Sequence, residues 1–94
     1  AHIMPIDAVA AMFAGVGRVL RPGGRFLLYG PFNYGGRYTA PSNARFDEWL
    51  KARDPAMGIR DVDWLNDLAG RAGMQPLEDI EMPVNNHILV WGSM

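Results

Sequence analysis

Few side chains in this 94-residue sequence are suited to chemistry, and their spacing excludes more sites than it suggests. There are no cysteines, so disulfides, thiolate metal sites and a cysteine nucleophile are ruled out. His2 and His87 stand at opposite ends of the sequence with no further ligands at metal-binding spacing, so no metal site is expected. No Ser-His-Asp arrangement is recognisable, and no catalytic residue is assigned from spacing. The carboxylates have structural readings. Asp61 stands where a helix N-cap belongs, Asp63 and Asp67 fall on a solvated helix face, and Asp47 lies near a helix start. Gly15-Val16-Gly17 has part of a dinucleotide-binding pattern, but it sits inside a helical repeat instead of following a strand, so a phosphate cradle is not expected. Gly23-Gly24 reads as a turn, and Gly35-Gly36 as a flexible loop tip in preference to a close approach to a ligand. The aromatics weigh differently. Tyr29 and Phe32 bracket Gly30-Pro31 at the carboxyl end of an apolar run, Tyr38 and Asn43 follow in the adjoining loop, and His2 sits at what reads as a strand end. Ligands of open α/β sheets bind at that edge. His2, Tyr29, Phe32, Tyr38 and Asn43 are therefore the candidate substrate-binding residues, with plain core packing as the alternative for the aromatics.

The elements that must position these residues follow from periodicity. Ile6, Val9, Phe13, Val16 and Leu20 recur at spacings of three and four, which predicts a helix over 5–20 that Pro22-Gly23-Gly24 stops. Residues 25–30, RFLLYG, read as a short strand buried on both faces, of the kind found in parallel sheets. Residues 31–43 form a long loop, which in a compact domain points to function. A second helix is expected over 44–53, capped by Ser42 or Asn43, with Phe46, Trp49, Leu50 and Arg53 on one face. Asp61 caps a third over 62–72, whose buried stripe is Leu65, Leu68, Ala69 and Ala72, and Gly73 suits a left-handed C-terminal cap. Residues 76–82 alternate weakly, 83–86 suit a turn and 87–91 form an apolar strand, so the chain should end in an antiparallel hairpin. A strand flanked by helices implies α/β layering.

Composition narrows the class. Nine basic and ten acidic side chains give a net charge of -1, which argues against nucleic-acid binding by bulk charge. No apolar run reaches the roughly 18 residues that would span a bilayer. A soluble, cytoplasmic globular piece is expected. A chain this short buries only about 60–65% of its unfolded surface, so its core is small.

The order of local motifs adds a resemblance. A helix, then Leu20-Arg21-Pro22-Gly23-Gly24-Arg25, then an apolar strand, resembles the join of fourth helix and fifth strand in class I S-adenosylmethionine (SAM)-dependent methyltransferases. Tyr29-Gly30-Pro31-Phe32, Pro41-Ser42-Asn43, Phe46-Asp47, Arg53-Asp54-Pro55, Gly58-Ile59-Arg60-Asp61 and Met82-Pro83-Val84-Asn85-Asn86 follow in that order. Together they are similar to the C-terminal half of an uncharacterised family of methyltransferase-like proteins, over essentially the whole chain. His2-Ile3-Met4-Pro5 matches that family's fourth-strand end, although Ile6 replaces its usual Trp and Met57 replaces an aromatic before Gly58. The resemblance implies a single partial domain, 1–94, of Rossmann-like α/β fold: about three strands, one of them a parallel-type core strand and two a terminal antiparallel hairpin, with three helices. It implies SAM for the intact parent and a small-molecule acceptor on the side of the candidate residues. The glycine-rich turn and acidic residue that take the cofactor have no counterpart in this sequence. No cofactor is therefore expected on the chain alone, and it should be inactive and self-associating, as a homodimer or domain-swapped oligomer. The alternative is a non-enzymatic self-assembly or protein-binding module acting through an exposed sheet edge.

Overall fold

The computed structural model describes residues 2–94. Helix α1 spans Ile6–Val19, and Pro5 at its N-cap and Leu20 beyond its end mark it off from extended backbone. Strand β1 (Arg25–Gly30) follows, then the two-residue strand β2 (Phe32–Asn33), helix α2 (Pro41–Arg53), the two-residue strand β3 (Arg60–Asp61), helix α3 (Val62–Arg71), and strands β4 (Met74–Met82) and β5 (Asn86–Ser93). The main sheet has the order β1-β5-β4, and both neighbours of β5 run antiparallel to it. β5 pairs with β1 from Arg25↔Gly92 to Gly30↔His87, and with β4 from Met74↔Ser93 to Met82↔Asn86.

One face of this sheet is covered. Val9 and Phe13 of α1 and Leu65 and Ala69 of α3 are buried against Leu89 and Trp91, with Phe32 and Met74 closing the core. Phe26 and Leu28 of β1 pack on this cluster. The rings of Phe13 and Trp91 meet edge to face at 5.1 Å, a favoured aromatic geometry. Full burial of each such side chain contributes about 1.5–3 kcal/mol, so the α1–α3–sheet contact is the main source of stability.

The strand reading at 25–30 needs one correction. β1 is not buried on both faces: Leu27 and Tyr29 alternate with the core-facing residues and are 55% and 58% exposed, because α1 and α3 lie on the same side of the sheet. Its sheet neighbour among the described residues is the last strand, β5, antiparallel to it. The parallel pair is instead β2 with β3, Phe32↔Arg60 and Asn33↔Asp61, too short to leave any periodic signal.

Two helix starts differ in kind. Asp61 caps α3 as expected: its Oδ1 accepts from the Asp63 N–H at 2.9 Å. Its Oδ2 accepts from the Gly36 N–H at 2.5 Å, so the Gly35-Gly36 turn, expected to be a flexible tip, is pinned to the start of α3. Both glycines there have positive φ, 58° and 79°. Helix α2 begins at Pro41 rather than 44, with Ala40 at its N-cap and no side-chain cap bond. Neither Ser42 nor Asn43 caps it, because the helix starts before them and both lie inside its first turn.

Candidate functional site

The carboxyl end of β1 opens into a concavity of about 400 Å³ lined by His2, Tyr29, Gly30, Pro31, Ser42, Asn43, Phe46, Val84 and Asn86. Three of the five residues selected from sequence, His2, Tyr29 and Asn43, therefore meet there. Phe32 does not line it: at 2% exposed it belongs to the hydrophobic core, held there by the β2–β3 pair. Tyr38 is 43% exposed and turns its hydroxyl to Asp47 Oδ2 at 2.5 Å.

Each wall has a local cause. Gly30 lets the backbone pass beside His2: a Cβ built on it would lie 3.2 Å from the His2 Nδ1. The Phe46 ring lies 5.5 Å from the imidazole and continues into a stack with Trp49, on whose face the Arg53 guanidinium sits at 4.8 Å. Asn43 is 7% exposed and its amide donates to Thr39 Oγ1 at 2.9 Å. Val84 enters from the β4–β5 turn, where it and Asn85 hold φ of 63° and 61°. A β-branched residue in that region is strained, by about 1–3 kcal/mol, and such outliers gather at functional sites. Partial burial holds the His2 imidazole below its ordinary pKa, so at pH 7 the ring is neutral and can accept a proton.

Beneath the concavity lies a residue that the sequence reading set aside. Asp47 is 2% exposed, and its carboxylate receives the Tyr38 hydroxyl, the Ile59 N–H at 2.9 Å and the Lys51 ammonium at 3.1 Å. Burial by itself would raise its pKa, but the bonds from Tyr38, Ile59 and Lys51 outweigh it and hold the carboxyl below the usual range. The buried stripe of α2 is thus Asn43, Asp47 and Leu50, and the expected face of Phe46, Trp49, Leu50 and Arg53 is corrected, with Trp49 53% exposed. The clue was available: positions 43, 47 and 50 share a helix face, and two of them are polar.

A folded-state pKa below the unfolded one stabilises above the unfolded value and is lost as pH falls through the folded one. Asp47→Asn should therefore cost about 1–3 kcal/mol at pH 7, the scale of a buried polar group left without its partners. That gap should close as pH drops through and below about 4. Urea unfolding at pH 7 and at acid pH measures it, and a gap independent of pH would contradict the assignment.

Two other features have structural explanations. Tyr34, Asp79 and His87 form a clasp between the loop and the terminal hairpin: the Tyr34 hydroxyl meets Asp79 Oδ2 at 2.5 Å and His87 Nδ1 meets Oδ1 at 2.7 Å. Burial, then the bond to Asp79, pushes the Tyr34 pKa up, so it stays a donor. A groove of about 430 Å³ between α1 and α3 is larger than the β1-end concavity. It holds no proton-handling group and arises from close helix packing, since a Cβ on Gly17 would overlap Ala72.

Comparison with known proteins agrees with this architecture. The family model "Protein of unknown function (DUF938)" matches residues 1–93. Among solved structures, an O-methyltransferase family 2 protein from Planctomyces limnophilus, in complex with apigenin, superposes with TM-score 0.85 at 16% identity, over 99% of this chain and 28% of that one. The mitomycin 7-O-methyltransferase MmcR gives 0.83 at 15%, over 99% and 27%. CalO1, a methyltransferase in calicheamicin biosynthesis in its SAH-bound form, gives 0.77 at 17%, over 99% and 27%. The chain spans about a quarter of the length of these structures, and its α/β fold is that of their C-terminal portion.

Proposed function

We propose, from the premise that this chain belongs to the DUF938 family, that it forms the acceptor side of a SAM-dependent methyltransferase. The observation that carries the reading is the concavity at the carboxyl end of β1, where a neutral imidazole, two amides and an aromatic wall converge. His2 takes the proton of an acceptor group, Asn43 and Asn86 orient the acceptor by hydrogen bonds, and Tyr29 and Phe46 cover its apolar part. Tyr38 borders the site through its bond to Asp47 and does not touch the acceptor.

The cofactor does not fit the residues present. A SAM cradle needs a glycine-rich strand-to-helix turn whose amides face the ligand. Among the described residues β1 instead runs through Gly30-Pro31 into β2, and the next helix starts only at Pro41. The 94 residues alone should therefore bind SAM weakly or not at all and transfer no methyl group. Calorimetric titration with SAM checks this: no saturable heat is expected, and a micromolar isotherm would overturn it.

A second reading rests on the exposed edge of β1. Leu27 and Tyr29 stand more than half exposed on a strand that ends the sheet. Such an edge pairs with another strand, and we assign it to self-association of this chain, the simplest closed form being a two-fold dimer. Light scattering at micromolar concentration should give twice the chain mass, and a monomer would end this reading.

A further inference from the structure

We propose that Asp47 is a positioning residue for His2, acting through the backbone of Gly58 and Ile59. The inference rests on the acceptor-side reading for its function and on geometry alone for the anchoring.

The segment that carries His2 is held at three points, His2, Met4 and Ile6, by one other segment. The Gly58 N–H donates to the His2 carbonyl at 3.0 Å, and the Ile6 N–H donates to the Ala56 carbonyl at 3.1 Å. Arg60 Nη2 bridges the carbonyls of Met4 at 2.7 Å and Ala56 at 2.6 Å. Residues 2–6 are thus stitched to residues 56–60 without a shared regular element. Something must fix residues 56–60, and β3 is only two residues long.

Asp47 supplies that fixed point. It projects from the buried face of the 13-residue helix α2, and its Oδ1 takes the Ile59 N–H next to the Gly58 that holds His2. The fit leaves no slack: a Cβ on Gly58 would lie 2.9 Å from the same Oδ1. The next residue back along α2, Phe46, presents its ring to the imidazole. One helix turn therefore sets both the backbone and one wall of the His2 site. The other charged or titratable groups facing Asp47 are Tyr38, Lys51 and Arg60. Partial burial first, and then the positive charge of the chain's amino terminus, keeps His2 below its ordinary pKa, so loosening the anchor exposes the ring and lifts the larger of the two effects.

The test is a histidine NMR titration of the protein, with the Trp91 indole N–H, which donates to Asn66 Oδ1 in the core, as the report on folding. Asp47→Asn keeps the shape but turns an amide N–H toward a donor. It should move the His2 midpoint up, toward the ordinary histidine value, with the Trp91 signal in place. Gly58→Ala displaces the same carboxylate from the other side and should move it in the same direction. It also decides the matter should Asp47→Asn fail to fold. An unchanged His2 midpoint in a folded variant of either kind overturns the proposal. Where methyl transfer is measurable in the protein, Asp47→Asn should lower kcat about ten- to a hundredfold through misplacement of His2. A moved midpoint upholds the anchoring by itself, and methyl transfer left unchanged by Asp47→Asn removes only the functional reading.

Discussion

Truncating Trp91 to alanine is expected to cost about 3–5 kcal/mol of folding stability, the range for removing a buried aromatic. Trp91 is 1% exposed at the middle of the central strand β5. It carries the ring contacts of Phe13 at 5.1 Å and Phe26 at 5.9 Å, and so joins α1 to both β1 and β5. Its indole N–H also reaches Asn66 Oδ1 at 2.9 Å, which ties α3 to the same point. In a domain of this size each kcal/mol moves Tm by roughly 4–8 °C, and total stability is commonly about 5–15 kcal/mol. Trp91→Ala should therefore melt at least ~12 °C lower or lose its cooperative transition. Trp91→Phe, which keeps the ring contacts and gives up the indole bond, should lose far less. Thermal melts followed by circular dichroism read both. An alanine variant within a few degrees of the parent would mean that the α1–sheet contact is not the core of the fold.

That core was legible because its elements carry long, one-sided patterns. Val9 and Phe13 of α1 and Leu65 and Ala69 of α3 fall on stripes visible in the sequence, and Asp61 announces the start of α3. The hairpin of β4 and β5 was legible from the turn at residues 83–86. What was missed depends on contacts between distant residues. Phe32 was placed in the long loop over 31–43 as a candidate binding residue, but a two-residue parallel pairing of β2 with β3 draws it into the core. No local pattern encodes a partner so far along the chain.

The site was half legible for the same reason. His2, Tyr29 and Asn43 could be chosen because a strand end in an α/β sheet is a general place for ligands. Asp47 could not be chosen on that ground. On α2 the aromatic positions 46 and 49 and the polar positions 43 and 47 offer competing faces, and hydrophobicity favours the wrong one. Burial of Asp47 is repaid by partners that lie nine and twelve residues away, Tyr38 and Ile59, which only the folded chain brings together. The correct face is the one on which every buried polar atom finds a partner, a criterion that periodicity does not contain.

The second large effect concerns the edge of the sheet. β4 and β1 are the two edge strands, and they are protected unequally. β4 carries Pro76, a register irregularity beside it, and the carboxylates Glu78, Asp79 and Glu81, all devices that discourage pairing. β1, RFLLYG, has one charge, at its first residue, and neither a proline nor a bulge. Self-association through strand pairing should therefore use β1. A two-fold axis normal to the sheet keeps each face with its like, so opposed residues must have numbers of the same parity. The register centred on Leu27 satisfies this. It sets Leu27 against its own copy, Phe26 against Leu28, and Arg25 against Tyr29, where a cation meets an aromatic face. Leu27→Lys then places two ammonium groups directly opposite each other and should weaken association at least about tenfold, since like charges across a strand pair destabilise it. The same change should leave each chain's stability within about 0.5 kcal/mol, as for a surface site, because Leu27 is 55% exposed and off the core face. Sedimentation equilibrium of parent and variant, beside a urea titration, separates the two effects. Dimers that persist in Leu27→Lys would show that association runs through another surface. A variant that loses stability and association together would show instead that Leu27 belongs to the core.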